Sequence, residues 1–484
     1  MIRTGTRRIA IRWRKRKREN EVKGISLGFF LRKNWENGKT NNVKESCMTK
    51  NLPFLKGAVT IATGGFVAKL IGALYRIPLT NLIGGYGIGL YQMVYPFYCL
   101  LLTVSATGIP SSIATLEAGE LAKGDTARNV FRPALKLFLW IGLVGTILML
   151  MLSPVLANAQ GESSLVAGYI ALAPSVTLVS AISVFRGWFQ GRNEMRPTAI
   201  SEIIEQVVKV GFGLLFAYLY RGNIQKAVVM LLFAVTISEF VALLFMVFRY
   251  KRVPAPILLK EKLVKVPTKE ILKTSVFVTL SSLLLPLSNL VESVLLVRLL
   301  GGYAENAVAL YGLFSGGAVT IINLPVSVCY GVAVASVPSV SKDRAEGNEN
   351  TRKSVFRALI VTLLISIPCA IGLYLFAPTA VGLIYRALSA SEKTTLVRLV
   401  RAFSLSAVTL SGLQTASACL TAQGRAKYAV LSTALGVGVK ILLDVVFVSN
   451  PKYSIMGAVF ASNACYAFIF LLNLLFNFRG NNRK

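Results

Sequence analysis

The chain has 484 residues, a mean hydropathy of +0.61 and only 15% charged residues. With glycine counted and tyrosine left out, about 58% of it is apolar, against about 45–50% for soluble domains. That leaves too little polar surface to cover a soluble globule, so the composition is that of a polytopic membrane protein.

The first 47 residues stand apart from the rest of the chain. They carry 14 Lys and Arg against 4 Glu, and Arg12 to Arg18 form their core. The best apolar run, Ile25 to Leu31, ends at Arg32-Lys33 and is too short for the apolar core of a signal peptide. Two readings stay open. One is a disordered cytoplasmic tail beside anionic lipid. The preferred one is an upstream extension, with translation starting at Met48.

A spanning helix needs about 20 apolar residues. Such segments are expected near 55–77, 88–112, 131–153, 164–186, 198–219 and 226–248. A second set is expected near 272–297, 306–337, 354–377, 397–421, 427–448 and 454–477. That makes twelve, and the long segment at 306–337 leaves room for thirteen or fourteen.

The loops 113–130, 187–197, 249–271, 338–353 and 422–426 are rich in Lys and Arg, as is the C-terminal tail. Loops 78–87 and 154–163 contain none. The positive-inside rule then puts both termini in the cytoplasm, and an even helix count agrees. The net charge of +32 is thus an orientation signal, with no nucleic-acid partner expected.

The chain is written twice. Leu82-Ile83-Gly84-Gly85-Tyr86 matches Leu299-Leu300-Gly301-Gly302-Tyr303, Gln190-Gly191-Arg192 matches Gln423-Gly424-Arg425, and Lys209 falls opposite Lys440. These matches point to a duplicated six-helix unit, its copies parallel and related by an axis along the membrane normal. The expected partition is a tail at 1–47, an N-terminal lobe at 48–248, a basic linker at 249–271 and a C-terminal lobe at 272–484.

Without histidine, Ser-His-Asp and Cys-His catalysis and His-ligated metal sites are excluded. The six cysteines show no CxxC spacing and read as small core residues. No enzyme, cofactor or metal is expected.

Phe185-Arg186-Gly187-Trp188-Phe189-Gln190-Gly191-Arg192, continuing through Arg196-Pro197-Thr198-Ala199-Ile200, resembles a signature of the stage V sporulation protein B family. So do Phe54-Leu55-Lys56-Gly57-Ala58 and Leu70-Ile71-Gly72-Ala73-Leu74-Tyr75-Arg76-Ile77-Pro78-Leu79. That family belongs to the MOP exporter superfamily, with MurJ-type lipid II flippases as relatives. The resemblance covers about 50–478. It implies an all-α protein with two six-helix lobes in a V and a central cavity. It also implies alternating access for a polyprenyl-pyrophosphate-linked saccharide amid membrane lipids, by a monomer. Two alternatives are weighed: a MATE-like exporter of cationic small molecules, and a membrane-bound glycosyltransferase or polymerase.

A charge inside the membrane costs roughly 2.5–3.5 kcal/mol on insertion scales and usually faces the bundle interior. Lys69 and Arg76 are two turns apart and share one helix face. The repeat puts uncharged Pro286 and Ser293 opposite them. Arg76 suits a pyrophosphate because its guanidinium forks onto two oxygens. Family resemblance also places a basic first helix at the cavity. MurJ-type relatives carry Arg-Asp where this chain has Arg76-Ile77, so the role of that acid does not carry over.

Glu205 and Lys209 form an i,i+4 pair in the favourable order, and Lys440 and Asp444 are likewise i,i+4 in the other lobe. The two lysines either flank an anionic head group or simply neutralise their neighbouring acids. Asn289 and Glu292 share one segment, and some MurJ-type relatives bind sodium between it and the segment of Asp444. Here Lys440 supplies a positive charge instead, which argues against sodium. Glu239, in mid-membrane, is either a proton-coupling group or a neutral hydrogen-bonded acid. Expected substrate contacts are therefore Arg76, Lys69, Lys209 and Lys440. Expected coupling or pairing residues are Glu205, Asp444, Glu292, Glu239 and Asn289.

Overall fold

The computed structural model describes residues 40–122, 128–253, 282–346 and 348–479. Most of the basic tail, the linker beyond residue 253 and the start of the segment at 272–297 lie outside the described residues. The chain divides into two compact units, Met1–Val59 and Thr60–Lys484, and the second holds the membrane-spanning rods.

All regular structure among the described residues is helical. The first half holds α1 (Thr40–Leu102), a π-helical turn at Thr103–Thr107, α2 (Ile109–Ala122), α3 (Arg128–Ala159), α4 (Leu165–Leu172), α5 (Pro174–Gly191), α6 (Arg196–Leu219) and α7 (Ile224–Lys251). The second half holds α8 (Leu284–Gly301), α9 (Ala307–Gly312), a π-helical turn at Leu313–Ala318, α10 (Val319–Glu346), α11 (Asn348–Ile384), α12 (Ala390–Ala422), α13 (Ala426–Val448) and α14 (Met456–Phe478).

Among the described residues, ten helical spans are long and apolar enough to cross a membrane. One of them, Thr63–Gly119, breaks at Gly84, whose φ of 68° is a conformation that glycine adopts freely. Arg76 nevertheless lies within electrostatic reach of Cys99. In one straight helix those 23 residues would span about 35 Å, so the two rods run back to back. Adding α6, which carries Glu202, Glu205 and Lys209, gives twelve rods among the described residues. The long segment at 306–337 is one rod, continuous through its π-helical turn as the span Ala307–Arg344. The expected loop at 78–87 is reduced to the single break at Gly84; the matching turn in the second half, from Gly302 to Asn306, is a true loop.

Each rod sorts its faces by polarity. On α13, Ser432, Gly436, Lys440, Asp444 and Val448 are buried at every fourth position, while Leu435, Leu442 and Val446 are exposed as lipid-facing side chains are. Within each half α6 packs on α7, α2 and α3 on α5, then α10, α11 and α14 on α12 and α13 on α14. Asn473 ties α14 to Ser432 of α13 and Ser417 of α12. The five described cysteines are free.

The hydrogen bonds that cross between the halves cluster at one end, the end of Gly84. Asn81 donates from Nδ2 to Ile384 O at 2.7 Å and accepts from Ala387 N at 3.0 Å. Glu392 caps α12 through Ser389 and also accepts from Gly85 N at 3.2 Å. Gln92 donates to Ser315 O, inside the π-helical turn, at 3.0 Å. Such a turn breaks the regular helical ladder and frees carbonyls for outside partners. Gln160, fully buried, donates to Met93 O and to Ser293 Oγ and accepts from the Tyr169 hydroxyl. Rods touch there at backbone distance: a Cβ on Gly312 would collide with Gly85 O, and one on Gly89 with Val308 O.

Candidate functional site

In the first half, α6 turns Thr198, Ser201, Lys209 and Gly213 inward and Val207, Phe212 and Leu215 outward. Gly213 is needed because any Cβ there would collide with the Tyr75 hydroxyl. Arg186, near the end of α5, reaches across to α6. Its Nη2 meets Glu205 Oε2 at 3.1 Å and its Nε donates to Ser201 Oγ at 2.9 Å. Gln206 donates to the other Glu205 oxygen at 3.1 Å. The expected Glu205–Lys209 pairing is therefore replaced by Glu205–Arg186, because a guanidinium serves the hydroxyl and the carboxylate at once.

That exchange leaves Lys209 buried with no carboxylate paired to it among the described residues. It lies within electrostatic reach of Glu205, Glu239, Arg76 and Cys99. Glu239 is 4% exposed. Its Oε1 accepts a long 3.5 Å contact from the Tyr98 hydroxyl, and its Oε2 has no partner. Tyr91, Tyr95 and Tyr98 form an aromatic ladder along this face of α1, with centroids 5.4 and 5.6 Å apart.

Arg76 sits where the halves meet. It lies within electrostatic reach of Tyr91, Tyr95 and Lys209 in the first half and of Tyr311 and Tyr385 in the second. It has no acidic partner among the described residues. Around it stand Arg186 and Lys209 with Glu205 and Glu239, and Glu202 of α6 faces Gly65 of α1.

The second half holds the opposite balance. Lys440 is in contact with Glu292 of α8, and Asp444 Oδ2 lies 4.0 Å from the same ammonium. The expected Lys440–Asp444 pair thus exists, but Glu292 is the nearer partner. One lysine faces two acids there. Glu292 Oε1 and both Asp444 oxygens lack hydrogen-bond partners. Asn289, one turn from Glu292, is exposed and takes no part in the cluster. The Lys69 side chain lies outside the described residues. Among the described residues, no three His, Cys, Asp or Glu side chains gather to hold a metal.

Sequence reasoning missed Arg186 as a partner of Glu205 and missed the crossing residues Asn81, Gln92, Gln160 and Glu392. Gln92 gave a usable signal, being an amide inside an apolar segment.

The sequence pattern of the family described as "Polysaccharide biosynthesis protein" matches residues 54–343, and that of MatE matches 278–446. Stage V sporulation protein B of Bacillus subtilis (strain 168) is 28% identical over 425 residues, covering 84% of this chain and 80% of its own. Lipid II flippase MurJ of the same organism is 22% identical over 451 residues, covering 88% and 81%. Among solved structures, a multidrug-resistance MATE-family transporter of the MOP superfamily, in an inward-facing conformation, shares the fold. Its TM-score is 0.72 at 17% identity, over 87% of this chain and 97% of that one.

Proposed function

The chain belongs to the polysaccharide biosynthesis protein family and is a multi-pass membrane transporter of the MOP superfamily; from that premise we propose that it exports a polyprenyl-pyrophosphate-linked cell-wall saccharide, such as lipid II, by alternating access. The observation that carries this reading is Arg76: an arginine at the meeting of the halves, beside Lys209, with no acid paired to it among the described residues. An unpaired cation in a membrane interior is costly unless an anion visits it. A pyrophosphate head group is that anion, and its polyprenyl tail stays in the bilayer.

In this reading both termini are cytoplasmic, so the Gly84 end faces outward and is the closed gate. Cargo enters from the basic end, the crossing bonds at Asn81, Gln92 and Glu392 break, and the halves rock open. A membrane negative inside drives an anion outward by about 2.3 kcal/mol per charge per 100 mV, so no coupling ion is required. The MATE-like alternative, export of an organic cation, has one observation in its favour: the two acids around Lys440.

The test is reconstitution into liposomes carrying fluorescent lipid II, with an imposed potential and an assay of head-group accessibility outside. Potential-dependent translocation that disappears in Arg76→Ala is the expected result. No translocation by folded wild-type protein, with transport of organic cations instead, would overturn the reading in favour of the MATE-like one.

A further inference from the structure

Two buried groups in the first half face each other without a fixed partner. Glu239, on α7, has one carboxylate oxygen with no hydrogen bond and one reached only by Tyr98 at 3.5 Å. Lys209, on α6, has no carboxylate paired to it among the described residues. The other groups facing Glu239 are committed elsewhere or carry the wrong sign. Arg186 from α5 is held by Glu205 and Ser201, Glu205 from α6 is itself an acid, and Tyr98 from α1 is neutral. Lys209 is thus the one uncommitted countercharge Glu239 has among these groups.

Lys209 is also the cation nearest in role to Arg76, with which it interacts electrostatically. An arriving anion therefore competes with Glu239 for the same ammonium. When the anion wins, an ionised Glu239 would be left as a solitary charge at 4% exposure. Buried groups in that position neutralise rather than remain charged. We propose that Glu239 takes up one proton when an anionic pyrophosphate engages Lys209, so that cargo binding and proton binding at Glu239 favour each other. The proton comes from solvent and goes to a Glu239 carboxylate oxygen. The one bond formed is the carboxyl O–H of Glu239, and the buffer gives up that proton.

Linkage sets the sign. Uptake of one proton means that affinity falls as pH rises, by up to tenfold per pH unit over the range in which Glu239 titrates. This proposal rests on the reading of the cargo as a pyrophosphate, and the experiment separates the two. The full chain in lipid nanodiscs is titrated with farnesyl pyrophosphate between pH 7.5 and 9, where the probe's own phosphates are ionised. Calorimetry in two buffers of different ionisation enthalpy counts the protons exchanged.

Wild-type protein is expected to take up a substantial fraction of one proton. Glu239→Gln is expected to bind with little pH dependence and no uptake. Lys209→Met is expected to bind more weakly, also without uptake, because Glu239 then keeps its proton before and after. Equal uptake in wild type and Glu239→Gln would overturn the proton site and leave the cargo reading standing. So would tight wild-type binding with no uptake. No binding of the probe by folded wild-type protein would overturn both.

Discussion

Asp444→Asn is expected to leave the protein at least as stable as wild type, although it removes a buried charge that has an ion-pair partner. The buried cluster of Lys440, Glu292 and Asp444 gathers one basic and two acidic side chains. At an effective dielectric of about 20, charges 4 Å apart interact by about 4 kcal/mol. That is the scale of the Lys440–Asp444 interaction at 4.0 Å. A contact pair at about 2.8 Å, an ordinary charge-assisted distance, is worth roughly 6 kcal/mol on the same footing. Removing Glu292 therefore costs about 2 kcal/mol more than removing Asp444. Asp444→Asn also relieves the repulsion between the acids and two carboxylate oxygens with no hydrogen bond. Lys440→Met leaves two acids with no cation and is the most damaging change, at about 3–5 kcal/mol. The expected order of melting temperature in detergent is Asp444→Asn at or above wild type, then Glu292→Gln, then Lys440→Met. Domains of about 200 residues shift by roughly 2–4 °C per kcal/mol, which puts the first two variants about 4–8 °C apart. If Asp444→Asn melts at or below Glu292→Gln, the assignment of Glu292 as the main partner is wrong.

Other expectations concern the gate and the cation. Asn81→Ala deletes two crossing hydrogen bonds, each worth about 1 kcal/mol, and should shift the equilibrium at the Gly84 end toward open by about 30-fold. Electron–electron resonance between spin labels at exposed Asn158 and Lys452 should then show a longer distance; an unchanged distribution refutes the latch. Gly312→Leu should prevent closure at that end altogether, giving only the longer distance and no transport in liposomes. Arg76→Lys should retain transport at about a tenth of the wild-type rate, since it keeps the charge and loses the fork; full activity would show that the fork is not used.

The rods were legible in the sequence because a spanning helix leaves a signal about 20 residues long that no neighbour can erase. The partners of the charged side chains were not. The i,i+4 rule sees only its own helix, so it offered Lys209 to Glu205 and Asp444 to Lys440. Arg186 stands 19 residues from Glu205 on another rod, and Glu292 stands 148 residues from Lys440. Spacing carries no trace of such contacts. The bonds between the halves were harder still, because Asn81, Gln92 and Gln160 bond mostly to backbone carbonyls and amides. Every residue but proline has both groups, so no sequence pattern marks the ones that are used. Gly84 could be found as half of a repeat, yet its counterpart Gly301 does not share its backbone conformation.

The repeat reading pairs Arg76 with Ser293 and Lys209 with Lys440, and the two pairs diverge in the same direction. Lys440 is clamped by Glu292 and Asp444, whereas Lys209 has no carboxylate paired to it among the described residues. Ser293 is fully buried and accepts from Gln160 across the halves, whereas Arg76 keeps its charge unpaired among the described residues. Under the repeat reading, position on the rod is shared by the two copies but charge availability is not. In the first half these cations have no carboxylate paired to them among the described residues, and the matching positions in the second half are taken up by an internal ion pair and a hydrogen bond across the halves. Under the proposed function, an anionic head group would therefore bind mainly on the first half, and the second half would close over it. Neutralising Lys440 together with Glu292 should therefore disturb folding more than cargo affinity, whereas neutralising Lys209 should do the reverse.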